Sequence, residues 1–181
     1  SIREYNHMGK RAYIVTQSIK KLKKEEKEWA LDPQGFKKVS DDTPVDITKL
    51  NSNDKGLYYK DEPYTTKKLH QRLIITYSPK YAAYQRTIRD KQVERAQKML
   101  DSGNTKKNRK NPNDPARFIE KTAVTPEGEA ADIKYSLDEN KIAEETLYDG
   151  LYAVCTDLLD DNVANILKVS EGRWQIEESR L

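Results

Sequence analysis

The chain has 181 residues, 35% of them charged and 35% hydrophobic, and a net charge of +3. An ordinary domain is ~45–50% apolar and ~25% charged, so this length and polarity predict one domain with a subdomain, built on a small core with long solvated elements. A single cysteine, Cys155, excludes an internal disulfide and fits a reducing compartment; with no run of ~18 apolar residues, no membrane-spanning helix is expected, and the expected location is the cytoplasm.

In chain order, Ala12–Thr16 (AYIVT) is a short β-branched run and predicts a buried strand. The Lys/Glu-rich stretch Ile19–Leu31 predicts helix in part, ended by Asp32-Pro33. Residues 33–55 are rich in turn formers and predict loop with short strands at most. Leu57–Thr66 has the Tyr and Thr content of a strand, and Pro63 assigns it to an edge. Leu69–Tyr77 (LHQRLIITY) is the clearest strand in the middle of the chain. Ser78-Pro79 then reads as a helix cap followed by proline at the first helical position, opening a helix to Leu100. Its apolar stripe is Tyr81, Tyr84, Ile88, Ala96 and Met99.

Residues 101–115 are a break made of turn formers and four cations. Residues 116–124 (ARFIEKTAV) predict a strand, and Asp138–Thr146 a short acidic helix. Leu151–Thr156 (LYAVCT) predicts a second buried strand, with Cys155 as a small buried hydrophobe. A last helix starts near Asp160 or Asp161, with Val163, Ile166 and Leu167 on one face and an interruption at Gly172. The fold class is therefore mixed α/β: a parent sheet holding AYIVT and LYAVCT, interrupted by a large, Tyr-rich and basic insertion.

Charge is unevenly spread. Lys and Arg exceed Asp and Glu by seven over residues 80–110 and fall short by nine over 111–181. A basic middle suits a polyanion, whose condensed counterions Lys and Arg release; equally, opposite segments can neutralise each other within one fold. Tyr58, Tyr59 and Tyr64 admit two readings, stacking on bases or packing on a twisted strand pair. Two histidines, His7 and His70, and one cysteine give no zinc spacing, and no phosphate-cradling glycine loop is present. Arg173 and Glu177, four apart, share a helical face, which by itself describes an ordinary surface ion pair.

The order of motifs adds to this. Asp149-Gly150, then Tyr152-Ala153-Val154-Cys155-Thr156, then Arg173-Trp174-Gln175-Ile176-Glu177-Glu178 resembles the C-terminal catalytic segment of insertion-sequence DDE transposases, in the group with a Y-x2-R-x3-E-x6-K signature. The stretches QRLIITYSPKYAAYQRTIRDKQVERAQKML and LDENKIAEETLYDG are similar to the insertion-domain segments of those proteins, and RAYIVTQSIKK to the strand after their second catalytic aspartate. The resemblance implies a partial RNase H-like core at 1–19 and 149–181 around an α+β insertion domain at 20–148. It implies that Glu177 is the catalytic glutamate and binds Mg²⁺ or Mn²⁺ together with two aspartates, which it places ahead of Ser1. Such metals activate a hydroxyl and stabilise a leaving oxygen. Arg173 would contact the backbone of transposon-end DNA, as would Arg86, Arg89, Arg95, Lys106, Lys107, Arg109 and Lys110 of the insertion domain. The implied partners are DNA and a second copy in the full protein, with no membrane. This chain departs from the signature in having Ser170 at the tyrosine position and Arg180 where an aromatic is usual, and the lysine position falls beyond Leu181. Without its aspartates the chain is expected to be inactive alone. The competing reading is a non-catalytic DNA-binding or interaction module.

Overall fold

The computed structural model describes residues 12–108, 111–124 and 132–178; the side chains of Val124 and of residues 171–178 lie outside that description. The chain is mixed α/β and divides into two compact units, one of residues up to Tyr81 together with those from Gly150 on, the other Ala82–Asp149.

The first unit is built on a five-stranded antiparallel sheet. Its strands are β1 (Ile14–Thr16), β2 (Lys37–Lys38), β3 (Tyr58–Thr66), β4 (Leu69–Tyr77) and β7 (Leu151–Thr156), in the order β1-β7-β4-β3-β2. The two apolar runs predicted to share a sheet are direct neighbours, with Val15 opposite Cys155. On its other side β7 pairs with β4, Ile74 facing Val154. Segment 57–77 thus lies in the same sheet as AYIVT and LYAVCT. Pro63 sits in the part of β3 that has β4 alone as neighbour, because β2 covers only Tyr58 and Tyr59. Its missing N–H therefore costs no ladder bond.

Leu73, Ile74 and Ile75 are consecutive and all fully buried, so both faces of the sheet are covered. On one face Ile14, Tyr59, Ile74 and Val154 pack against Val163, Ile166 and Leu167 of the last helix. On the other, Lys60 is 4% exposed and donates from Nζ to three carbonyls, those of Trp29, Asp32 (2.6 Å) and Gln34 (3.2 Å). These carbonyls close helix α1 (Lys24–Leu31) and the turn after it. A cation at a helix C-terminus meets the negative end of the dipole, and the three acceptors use all of the ammonium's donors. The rings of Trp29 and Phe36 each lie 4.8 Å from the same nitrogen.

The second unit contains most of helix α2 (Pro79–Asp101), which Ser78 caps by accepting from the Tyr81 N–H. A 3-10 turn at Pro115–Phe118, where a strand was expected, leads into the ribbon β5 (Ile119–Val124) and β6 (Asp132–Leu137), followed by helix α3 (Glu139–Thr146). Asp114 forms that turn by accepting from the Ala116 N–H at 3.0 Å. The core is Ala96, Ala116, Phe118 and Ile119, with Val93, Met99, Leu100, Leu137 and Ile142 against it. The apolar stripe expected on α2 is corrected here: Ala96 and Met99 pack inward, but Tyr84 is 62% and Ile88 40% exposed. The buried face runs through Arg89, Val93 and Ala96 instead, because Arg89 is neutralised within the unit. Its guanidinium forks onto the Asp149 carboxylate at 2.6 and 2.5 Å, with both side chains under 10% exposed.

Removing one partner of a buried pair strands the other charge, so Arg89→Met or Asp149→Leu alone should lower stability by ~3–5 kcal/mol, while the double change should recover most of the loss. Urea unfolding of the four chains checks this; equal losses in single and double variants would contradict it. Burial and, next, the Asp54 carboxylate push the Tyr58 phenol from 10 to about 12. Burial and then Asp42 do the same for Tyr59. A proton retained more tightly in the folded state gives stability that is full below pH 10 and lost as pH rises from 10 to about 12. Tyrosinate absorbance should show two phenols ionising late, and Tyr59→Phe should remove one of them.

Candidate nucleic-acid interface

Helix α4 (Val163–Glu178) carries the transposase-like motif, and three devices position it. Asn162 caps it, its side-chain oxygen accepting from the Ala164 N–H at 2.8 Å. Val163, Ile166 and Leu167 are 2–6% exposed and seat the first turns on the sheet. Arg72 of β4 donates from Nε to Asp61 at 2.6 Å and from Nη1 to the Asp161 carbonyl at 2.6 Å, fastening the turn that precedes the helix. The helix begins at Val163 rather than at Asp160 or Asp161, and it runs through Gly172 without interruption. One helical glycine costs only ~1 kcal/mol against alanine, which a seated helix tolerates. With 3.6 residues per turn, positions 173 and 177 return to the phase of Ile166. The side chains of Arg173 and Glu177 themselves lie outside the described residues.

The remaining motif residues have structural work. Gly150 has φ of +75°, a conformation a side chain would strain. Thr156 is fully buried; its hydroxyl donates to the Tyr13 carbonyl at 2.8 Å and accepts from the Leu158 N–H at 3.1 Å, ending the strand and opening the path to α4. Asp149 serves Arg89, as above. Cys155 is fully buried, as its apolar run predicts.

Of the cations expected on DNA, Arg86, Arg95, Lys106 and Lys107 are exposed. Arg89 is corrected: at 7% exposure, with its fork engaged by Asp149, it is committed to the fold. Arg109 and Lys110 lie outside the described residues, as does His7. Tyr58 and Tyr59, at 3% and 6% exposure, are packing residues with no face left for a base. The exposed aromatic that sequence reading passed over is Tyr135 on β6, 43% exposed and directly opposite Lys121 on β5. With Thr105, Lys106, Lys107 and Ile119 these two line an open groove of about 500 Å³.

Among the described residues no three His, Cys, Asp or Glu side chains converge in a set able to hold a metal ion, so the Mg²⁺ or Mn²⁺ implied by the resemblance has no complete ligand set there. Compared with protein-family models, curated proteins and solved structures, the chain matches none. Among the described residues no helix is long and apolar enough to cross a membrane.

Arg72 makes two charge-assisted contacts, each of a kind worth ~1.5–3 kcal/mol, so Arg72→Met should destabilise the first unit by about that amount and Arg72→Lys by less than Arg72→Met. Denaturant midpoints of the two variants check the order; no change in either would contradict the fastening role.

Proposed function

We propose that the chain is part of an insertion-sequence DDE transposase, with β1, β7 and α4 in an RNase H-like core and an insertion domain at 20–148, within which Ala82–Asp149 forms a compact unit of its own, that meets transposon-end DNA. One observation carries most weight. The motif's helix follows a buried central strand directly, and positions 173 and 177 share the phase of the residue that seats that helix. An arginine and a carboxylate spaced four apart in sequence belong to one helical face. In this reading Glu177 supplies one carboxylate to a divalent-metal centre completed by two aspartates outside the described residues. Arg173 holds a backbone phosphate, which its planar fork suits. The exposed Arg86, Arg95, Lys106 and Lys107 add phosphate contacts that hold DNA without reading its sequence.

Those same cations favour the second reading, a binding module without chemistry, since they act independently of Glu177. The two part experimentally. In the longer protein that carries the partner aspartates, Glu177→Gln should abolish strand cleavage at transposon ends and leave DNA binding intact. Persistent cleavage would sink the catalytic assignment. On the chain alone, duplex DNA should be retained in a salt-dependent gel shift that charge reversal at Arg86 and Arg95 weakens. Failure to bind at low salt would remove the DNA role altogether. Nuclease turnover by the chain alone, lost in Glu177→Gln, would overturn the claim that it needs further carboxylates.

A further inference from the structure

The groove on the β5–β6 ribbon has a composition that duplex binding does not require. Its cations are Lys106 and Lys107 from the loop after α2 and Lys121 from β5, and among the described residues no acid lines it. None of the three lysines is in an ion pair among the described residues. Tyr135 stands directly across the ribbon from Lys121 on the same face, and Ile133, two residues away and hence also on that face, is 53% exposed. The ribbon's hold on its unit comes instead from Ile119, 2% exposed, and from Leu137 opposite it, which pack with Phe118. Among the described residues, Lys121, Ile133 and Tyr135 on the outer half of this face lie outside the unit's apolar core.

Phosphates of a duplex are satisfied by lysines alone, and a duplex keeps the faces of its bases stacked. An exposed aromatic among lysines matches a strand whose bases are unstacked, where the ring takes a base face and the ammonium groups take the flanking phosphates. We infer that the groove formed by Lys106, Lys107, Lys121 and Tyr135 binds single-stranded nucleic acid, with a base on the Tyr135 ring. The inference deepens the DNA reading above and rests on it, by naming the form of the strand held at this unit.

The test is fluorescence anisotropy of the whole chain with a labelled oligothymidylate and with a duplex of the same length. The single strand should bind more tightly. Tyr135→Phe should bind like the parent, and Tyr135→Ala should bind ~5–150-fold more weakly, the range that stacking of one base supplies. Replacing Lys106, Lys107 and Lys121 by Gln should reduce the slope of log K against log salt by ~2, since each phosphate contact on a single strand contributes ~0.7. Circular dichroism of each variant should match the parent, because the substituted side chains are exposed. Equal affinity for both oligonucleotides with no effect of Tyr135→Ala would overturn the inference and leave the DNA reading standing. So would displacement of the oligonucleotide by polyglutamate at equal charge concentration, which would mean a surface for acidic polypeptide. No binding of either oligonucleotide at low salt would overturn both.

Discussion

Strand β7 is the constraint on which the first unit depends. It is hydrogen-bonded on both edges, to β1 through three residue pairs and to β4 through six. Among the described residues β1 has no other strand neighbour, and without β7 the strand β4 loses one edge. Its inner residues Ala153 to Thr156 are at most 1% exposed. The register that sets Ile14 against Thr156 joins distant parts of the chain. Loop-closure entropy grows only logarithmically with such a separation, so the cost in stability is modest, while the cost in folding rate is larger because the pairing is non-local. Helix α4 leaves β7 through a short turn held by Thr156 and Arg72, so whatever α4 carries inherits its placement from this strand.

Much of the high charge content has an explanation within the fold. Lys60 closes a helix end, Arg72 ties the sheet to the turn before α4, and Arg89 pairs with Asp149. Arg117 spans the second unit in a similar way. Its guanidinium donates to Glu145 at 2.9 and 3.1 Å, to the Asp114 carbonyl at 3.1 Å and to Gln92, and it lies 4.0 Å from the Phe118 ring centroid. Each of these cations is wholly or partly withdrawn from solvent and satisfied by carbonyls or carboxylates, as buried charge requires. Of these four only Arg89 lies within residues 80–110, and the other described lysines and arginines of that stretch are exposed.

What was legible in the sequence followed from burial. AYIVT, LHQRLIITY and LYAVCT announce themselves because strands covered on both faces are continuous apolar runs. Ser78-Pro79 announces α2 because its cap is a local interaction. Strand β6 did not, since it is half of an exposed ribbon. Its sequence DIKYSL has apolar residues that face solvent, so alternation carries no core signal. The same fact hid Tyr135, which is exposed opposite Lys121, a tertiary relation that composition does not encode. Arg89 misled for the converse reason. A cation on a charged helix reads as solvated until its partner, Asp149, is brought to it by the fold. Arg173 and Glu177 carry a motif resemblance alone, because their spacing is that of any surface ion pair.

The seating of α4 also sets what a carboxylate at its far end can do. Packing holds the helix at Val163, Ile166 and Leu167, whereas Lys168 and Val169 are exposed. From Leu167 to position 177 the helix advances ~15 Å at 1.5 Å per residue. A ligand at the end of such a lever is placed in direction by the sheet but receives no positional support from the residues that seat the helix. Metal ligands need their geometry held by neighbours that fix each side chain. At the ribbon, by contrast, Lys121 and Tyr135 face each other across paired strands, while Lys106 and Lys107 come from the loop after α2.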